Sequence, residues 1–139
     1  MKKYMPLFIF IGVMCVSGCA SVENAGDTSP VQQQGSQIVQ AIIAENYKDF
    51  IKGANDSSVA GNDAESFIES CKQLENTYGK PGSFRYLGEL QTPLLVHQLS
   101  AVKFKKTGAN GKYVDHEQLL QLIFGNENGS YKLLGIRFI

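Results

Sequence analysis

The chain has no tryptophan, two histidines, four prolines and three cysteines in 139 residues, and its 13 basic and 13 acidic side chains cancel. Each shortage excludes something. Balanced charge removes the electrostatic case for nucleic acid, which calls for a strong basic excess. Lys103, Lys105, Lys106 and Lys112 do cluster, but they flank a predicted hairpin tip, where solvated strand ends account for them. Two histidines, with no HExxH or CxxC, leave no ligand set for a metal. No glycine-rich phosphate loop follows a strand and no G-x-S-x-G turn occurs, so no cofactor is expected. No apolar run reaches the roughly 20 residues that a membrane-spanning helix needs.

What is present begins with an address. Lys2 and Lys3 precede an apolar stretch of twelve residues, Met5 to Val16, with the length and flanks of a secretory signal. Val16-Ser17-Gly18-Cys19 follows, and this segment resembles a bacterial lipoprotein signal. The resemblance implies cleavage after residue 18, a diacylglyceryl group on the Cys19 sulfur and acylation of the new amino group. An ordinary cleaved signal with a cysteine near its end is the alternative. The domains are then 1–18 signal peptide, 19–35 lipidated cysteine and tether, and 36–139 folded domain. Acyl chains contribute about 0.8 kcal/mol per buried CH₂, and two or more anchor stably, so the expected partner is a membrane. Localisation is the bacterial cell envelope; Ala20 after the cysteine points to the periplasmic face of the outer membrane if the source is Gram-negative. Loss of Lys2 and Lys3 leaves 11 basic against 13 acidic residues. Cys71 is then unpaired, no internal disulfide is possible, and stability must come from packing.

Ala20 to Gly35 is small and polar without apolar period and reads as a flexible tether with a reach of ~20 to 24 Å. From Ser36 onward Val39, Ile42, Ile43, Tyr47, Phe50 and Ile51 recur at three- and four-residue spacing. They predict one amphipathic helix from a Ser36 cap to a Gly53 stop. After a polar connection, Ala54 to Gly61, a second helix is predicted from an Asn62 cap with Glu65 completing a capping box. It runs through Phe67, Ile68, Cys71, Leu74 and Tyr78 and stops at Gly79-Lys80-Pro81-Gly82. Four strands follow: Phe84 to Leu90, Leu94 to Lys105, Lys112 to Phe124 and Tyr131 to Ile139. Their short connections make the sheet antiparallel, and the class α+β.

Pairing Lys103 with Asp115 sets opposite charges across from each other and aligns Phe104 with Val114 and Val96 with Leu122. A two-residue type I′ turn at Asn128-Gly129 aligns Leu119, Gln121 and Ile123 with Phe138, Ile136 and Leu134. The face carrying Leu95, His97, Leu99, Leu119, Ile123, Leu134, Ile136 and Phe138 is the expected bed for the helices. The other face, with Val96, Val102, Phe104, Val114, Leu120, Leu122, Phe124, Leu133 and Ile139, is too apolar to be wet and needs a cover from this chain or another subunit.

Asn46-Tyr47-Lys48-Asp49-Phe50, Tyr86-Leu87-Gly88-Glu89-Leu90 and the ending Gly129 to Phe138 resemble the small nuclear-transport-factor-like (cystatin-like) domains of bacterial lipoproteins of unknown function. Asn128 stands where that pattern usually has an acidic residue. The resemblance covers 36–139. It implies a half-open cone or roll: two N-terminal helices packed on a curved four-stranded antiparallel sheet, a pocket between them, and a homodimer through the outer sheet face. Ketosteroid isomerases of that superfamily need an aspartate base and an acidic oxyanion donor. Neither matches a position here, so no catalytic residue is carried over.

His97, placed opposite Gln121 on the expected helix side with Tyr47, Cys71 or Tyr78 above, is the candidate pocket acid or base. The favoured reading of His97 is nevertheless structural, a core-edge histidine hydrogen-bonded to Gln121 or backbone. His116 falls on the opposite face, so the two histidines share no metal. Cys71 reads as a buried apolar thiol. The expected function is a lipid-anchored module that binds a small ligand or a protein without catalysis. The alternatives are a pocket enzyme using His97, and an envelope inhibitor or immunity-type protein.

Overall fold

The computed structural model describes residues 28–55 and 63–139, so the signal, Cys19, most of the tether and the Asn62 cap lie outside the described residues. Helix α1 spans Pro30–Ile43, earlier than the sequence period suggested. Ser29 caps it, its hydroxyl accepting from Gln32 N at 3.1 Å, and Pro30 occupies the first turn, where its missing N–H is not needed. Pro30 to Gly35 are therefore helix and not tether: Val31 and Gly35 are buried on the same face as Ile38, Val39 and Ile42. The three glutamines Gln32 to Gln34 hide that period from a sequence reading.

The single helix expected as far as Gly53 is two. Glu45 takes a left-handed φ of 53° and Asn46 caps a new helix α2, Tyr47–Ala54, accepting from Asp49 N at 3.2 Å. Asparagine competes for backbone partners with its own side chain and so favours such breaks. Helix α3 spans Ala64–Tyr78 with Asp63 as its cap, bonded to Ser66 N at 2.8 Å, a bond that holds the Asp63 carboxyl below its ordinary range. Among the described residues, no helix is long and apolar enough to cross a membrane.

Strands β1 (Lys80–Gln91), β2 (Leu95–Thr107), β3 (Tyr113–Glu127) and β4 (Ser130–Phe138) form an antiparallel sheet in the order β1-β2-β3-β4. The class is α+β. Between β2 and β3 the register differs from the expected one by two residues: Lys103 faces Glu117 and Lys105 faces Asp115. Charges still oppose charges, and faces are kept because the side-chain period is two. Asn128 and Gly129 both have positive φ, 56° and 84°, as a type I′ turn requires. From that turn the expected pairing holds as far as Phe124 with Leu133. There a bulge at Leu134 shifts the ladder, so that Ile123 faces Gly135, Leu122 faces Ile136 and Leu120 faces Phe138.

The helices lie on the face opposite to the one expected. Val96, Val102, Phe104, Leu120, Leu122, Phe124 and Leu133 are buried together with Val31, Ile38, Phe50, Phe67 and Cys71. Leu95, His97, Leu99, Leu119, Ile123 and Leu134 point away from them. Ile136 and Phe138 are exceptions, brought to the helix side by the bulge. The cover that the second apolar face called for is thus the chain's own helices. The cue was charge: Lys103, Lys105, Asp115 and Glu117 share the parity of His97 and cannot lie under helices.

Candidate functional site

On the helix-side face a groove of about 490 Å³ opens between α3 and the edge strand β4. Its walls follow from two periodicities. The i, i+4, i+7, i+11 stripe Phe67, Cys71, Leu74 and Tyr78 supplies one wall, Ile136 and Phe138 supply the other, and Ile42 and Phe50 close the far end. Aromatic rings line it closely: Tyr78 lies 5.5 Å from Phe104 and 5.4 Å from Phe138, and Phe50 lies 4.7 Å from Phe67, centroid to centroid. Ser70, Gln73 and Thr77 form a polar lip along α3. The volume lies within the range of small-molecule pockets, roughly 300 to 1,000 Å³.

The chemistry inside is sparse. Among the described residues, no aspartate, glutamate, histidine, lysine or arginine lines the groove. Burial, with a smaller contribution from Glu45, pushes the Cys71 thiol up to about 11, so at neutral pH it is protonated and a poor nucleophile. Its sulfur faces Ile42 O at 3.9 Å. Among the described residues, no three His, Cys, Asp or Glu side chains gather as metal ligands would.

The candidate pocket residues divide between the two sides of the sheet. Cys71 and Tyr78 line the groove. Tyr47 packs on Phe67 at 5.7 Å, beside the groove and not on its wall. His97 and Gln121 lie on the outer face, a correction that follows from the reversed faces: the sheet separates them from Cys71 and Tyr78. They do touch, diagonally across β2 and β3, with Gln121 Nε2 3.3 Å from His97 Nδ1. Arg137, which the sequence reading passed over, donates its Nε–H to Gln121 Oε1 from β4. The bulge at Leu134 is what turns Arg137 to this side. Gln121 is buried under these neighbours, and with Leu87, Leu90 and Leu99 they line a shallow outer cleft. His116 sits on the other side of the sheet, stacked on Phe104 at 5.8 Å.

No family model matches the chain, and no curated protein matches it. Among solved structures it is similar to a protein described as a calcium/calmodulin dependent protein kinase II association domain from Xanthomonas campestris. The identity is 13% over 78% of this chain and 83% of that one, with a TM-score of 0.44. The α+β class stands on the elements and pairings described above.

Proposed function

We propose that this chain is a lipid-anchored binding module of the cell envelope, with a nuclear-transport-factor-like cone whose α3–β4 groove takes a small apolar molecule without transforming it. The groove carries this reading: a volume of about 490 Å³ with aromatic and aliphatic walls, a polar lip, a Cys71 thiol kept protonated by burial and, among the described residues, no carboxyl, imidazole or ammonium group inside. Among the described residues the groove's walls carry no carboxyl, imidazole or ammonium group for general acid–base transfer; the Cys71 thiol is held protonated by burial, and no such group stands in the lining beside the Tyr78 hydroxyl. A pocket enzyme working through His97 loses its support, since His97 lies across the sheet from the groove.

The test is native mass spectrometry of the chain purified from its membrane, followed by mass analysis of what it releases. A released apolar molecule, displaced when Leu74→Lys places a charge in the groove, supports the reading; an empty groove that no apolar probe enters overturns it. The anchor is tested separately. Cys19→Ser is expected to move the protein from the membrane to the soluble fraction and to abolish the acyl mass increment.

A second reading concerns the outer face, where Leu87, Leu90, Leu119 and Leu134 are 41%, 67%, 40% and 47% exposed. This array supports a homodimer joined through that face. A dimeric mass that Leu90→Arg converts to monomer is the expected result, and a monomeric wild type excludes it.

A further inference from the structure

What can lie in the groove depends also on the edge of β4 beside it, which is guarded at one end and open at the other. In the order β1-β2-β3-β4 one side of β4 pairs with β3 and the other has no strand. Near the turn that free side is closed: Tyr131 O accepts from Gln34 Nε2 at 2.9 Å and from Asn55 Nδ2 at 3.2 Å. Past the bulge the edge is open. Ile139 N donates to Leu119 O at 2.8 Å, so Ile139 turns its backbone groups to β3, and by alternation so does Arg137. Ile136 and Phe138 then direct their N–H and C=O off the edge, at positions about 7 Å apart. Among the described residues no hydrogen bond meets these four groups.

A row of free backbone donors and acceptors complements one kind of ligand, an extended chain. Ile136 and Phe138 also wall the groove with their side chains. In an antiparallel strand laid along them, the two residues directly opposite share their face and so enter the groove. The residue between those two faces the outer side, beside Arg137. Arg137 Nε is bonded to Gln121, and its Nη groups have no partner among the described residues. Charge therefore selects the occupant. A second copy is disfavoured: two β4 edges paired antiparallel through these groups set Arg137 opposite its own counterpart, and like charges directly opposite destabilise a sheet. An acidic residue at that position is favoured by the same rule.

We infer that the open end of β4 takes an extended segment of another polypeptide as an antiparallel fifth strand, an inference that rests on the groove being a binding site and gives it a second kind of occupant. Two apolar residues of that segment, separated by one acidic residue, descend between Leu74, Tyr78, Ile136 and Phe138. The acid between them faces Arg137.

The experiment follows amide hydrogen exchange and the Ile136 methyl signal by NMR in the full chain held in lipid nanodiscs. In the free protein the Ile136 and Phe138 amides are expected to exchange roughly tenfold faster, or more, than the Arg137 amide, which is bonded to β3. The probes are the end-blocked peptides Thr-Val-Glu-Val-Thr and Thr-Val-Lys-Val-Thr, the first again with both valine nitrogens methylated, and cyclohexane. The glutamate peptide is expected to slow exchange at both amides, to bind about threefold tighter than the lysine peptide or better, and to lose that margin in Arg137→Met. Methylation is expected to weaken it by about fivefold or more, from two hydrogen bonds lost. No slowing by any peptide, or equal binding of the methylated one, overturns strand addition; equal binding of the lysine peptide overturns the acidic partner. A shift of the Ile136 methyl by cyclohexane without any peptide effect sinks the fifth strand and keeps the groove as a small-molecule site. Failure of cyclohexane and the peptides alike to shift that methyl overturns the groove as a site at all.

Discussion

Gly35 on α1 lies so close to Gln98 on β2 that a β-carbon there would fall 2.0 Å from Gln98 Oε1. The helix rests on the sheet at this point because one partner has no side chain. Gln98 is fully buried, and neither its amide atoms nor the neighbouring Ser100 hydroxyl has a hydrogen-bond partner among the described residues. Gly35→Ala is expected to lower stability by about 1 to 3 kcal/mol through overpacking. Adding Gln98→Ala is expected to return part of that loss, because the atoms in the way are removed. Denaturant unfolding of the double-mutant cycle checks this; strictly additive losses would show that the contact is not shared.

The bulge at Leu134 decides which side chains of β4 reach the groove. Removing Leu134 makes the ladder regular while leaving Ile136 and Phe138 on the helix side, so its deletion is expected to cost less than about 2 kcal/mol. Inserting an alanine between Gly135 and Ile136 turns both side chains to the outer face, at a cost of roughly 3 kcal/mol or more. Thermal midpoints of the two variants test the pairing; a reversed order refutes it.

Ser29 both caps α1 and offers its hydroxyl to the Glu89 carboxylate at 3.3 Å. Ser29→Ala is expected to cost about 1 kcal/mol. Hydrogen exchange at the Gln32 amide, bonded to that hydroxyl, should accelerate more than exchange in the middle of the helix.

Cys71 ties stability to alkaline pH. Its folded value, about 11, lies above the ordinary 9.0. Below about pH 9 the thiol is protonated in both states and its contribution is intact. Between about 9 and 11 the unfolded chain ionises first, so stability falls, by roughly 1.4 kcal/mol per pH unit at most. Cys71→Val is expected to flatten this part of the profile, measured as unfolding free energy from pH 8 to 10.5. An unchanged slope would place the alkaline loss on other groups.

The outer-face chain fixes a tautomer. Gln121 Oε1 accepts from Arg137 Nε, so its Nε2 donates to His97 Nδ1, and neutral His97 carries its proton on Nε2. Ring ¹⁵N shifts should show that form in the wild type. In Arg137→Met the amide is free to turn, and a mixture of tautomers is expected; an unchanged ring spectrum would mean that Arg137 does not orient Gln121.

The sequence by itself determined the parts whose cause is local. The stripe Phe67, Cys71, Leu74, Tyr78 marks a helix with one apolar face, because the 3.6-residue period leaves no other way to bury those residues together. Asn128-Gly129 marks a type I′ turn, because both positions need positive φ. The Ser29-Pro30 start and the Asn46 break had local signals too, a cap before a proline and an asparagine within the helical period, but weak ones. Tertiary structure showed which face of the sheet the helices cover, a choice that the run of charges on the other face had only hinted at. Alternation says which residues share a face, and here both faces are rich in leucine, isoleucine and valine, so the choice falls to the side whose centre is free of charge and lined by Phe104 and Phe124. The bulge at Leu134 was equally out of reach: an extra residue in one strand shows only against its partner. By reversing the face of Ile136, Arg137 and Phe138, that single residue settles which side chains of β4 wall the groove and which join Gln121 on the outer face.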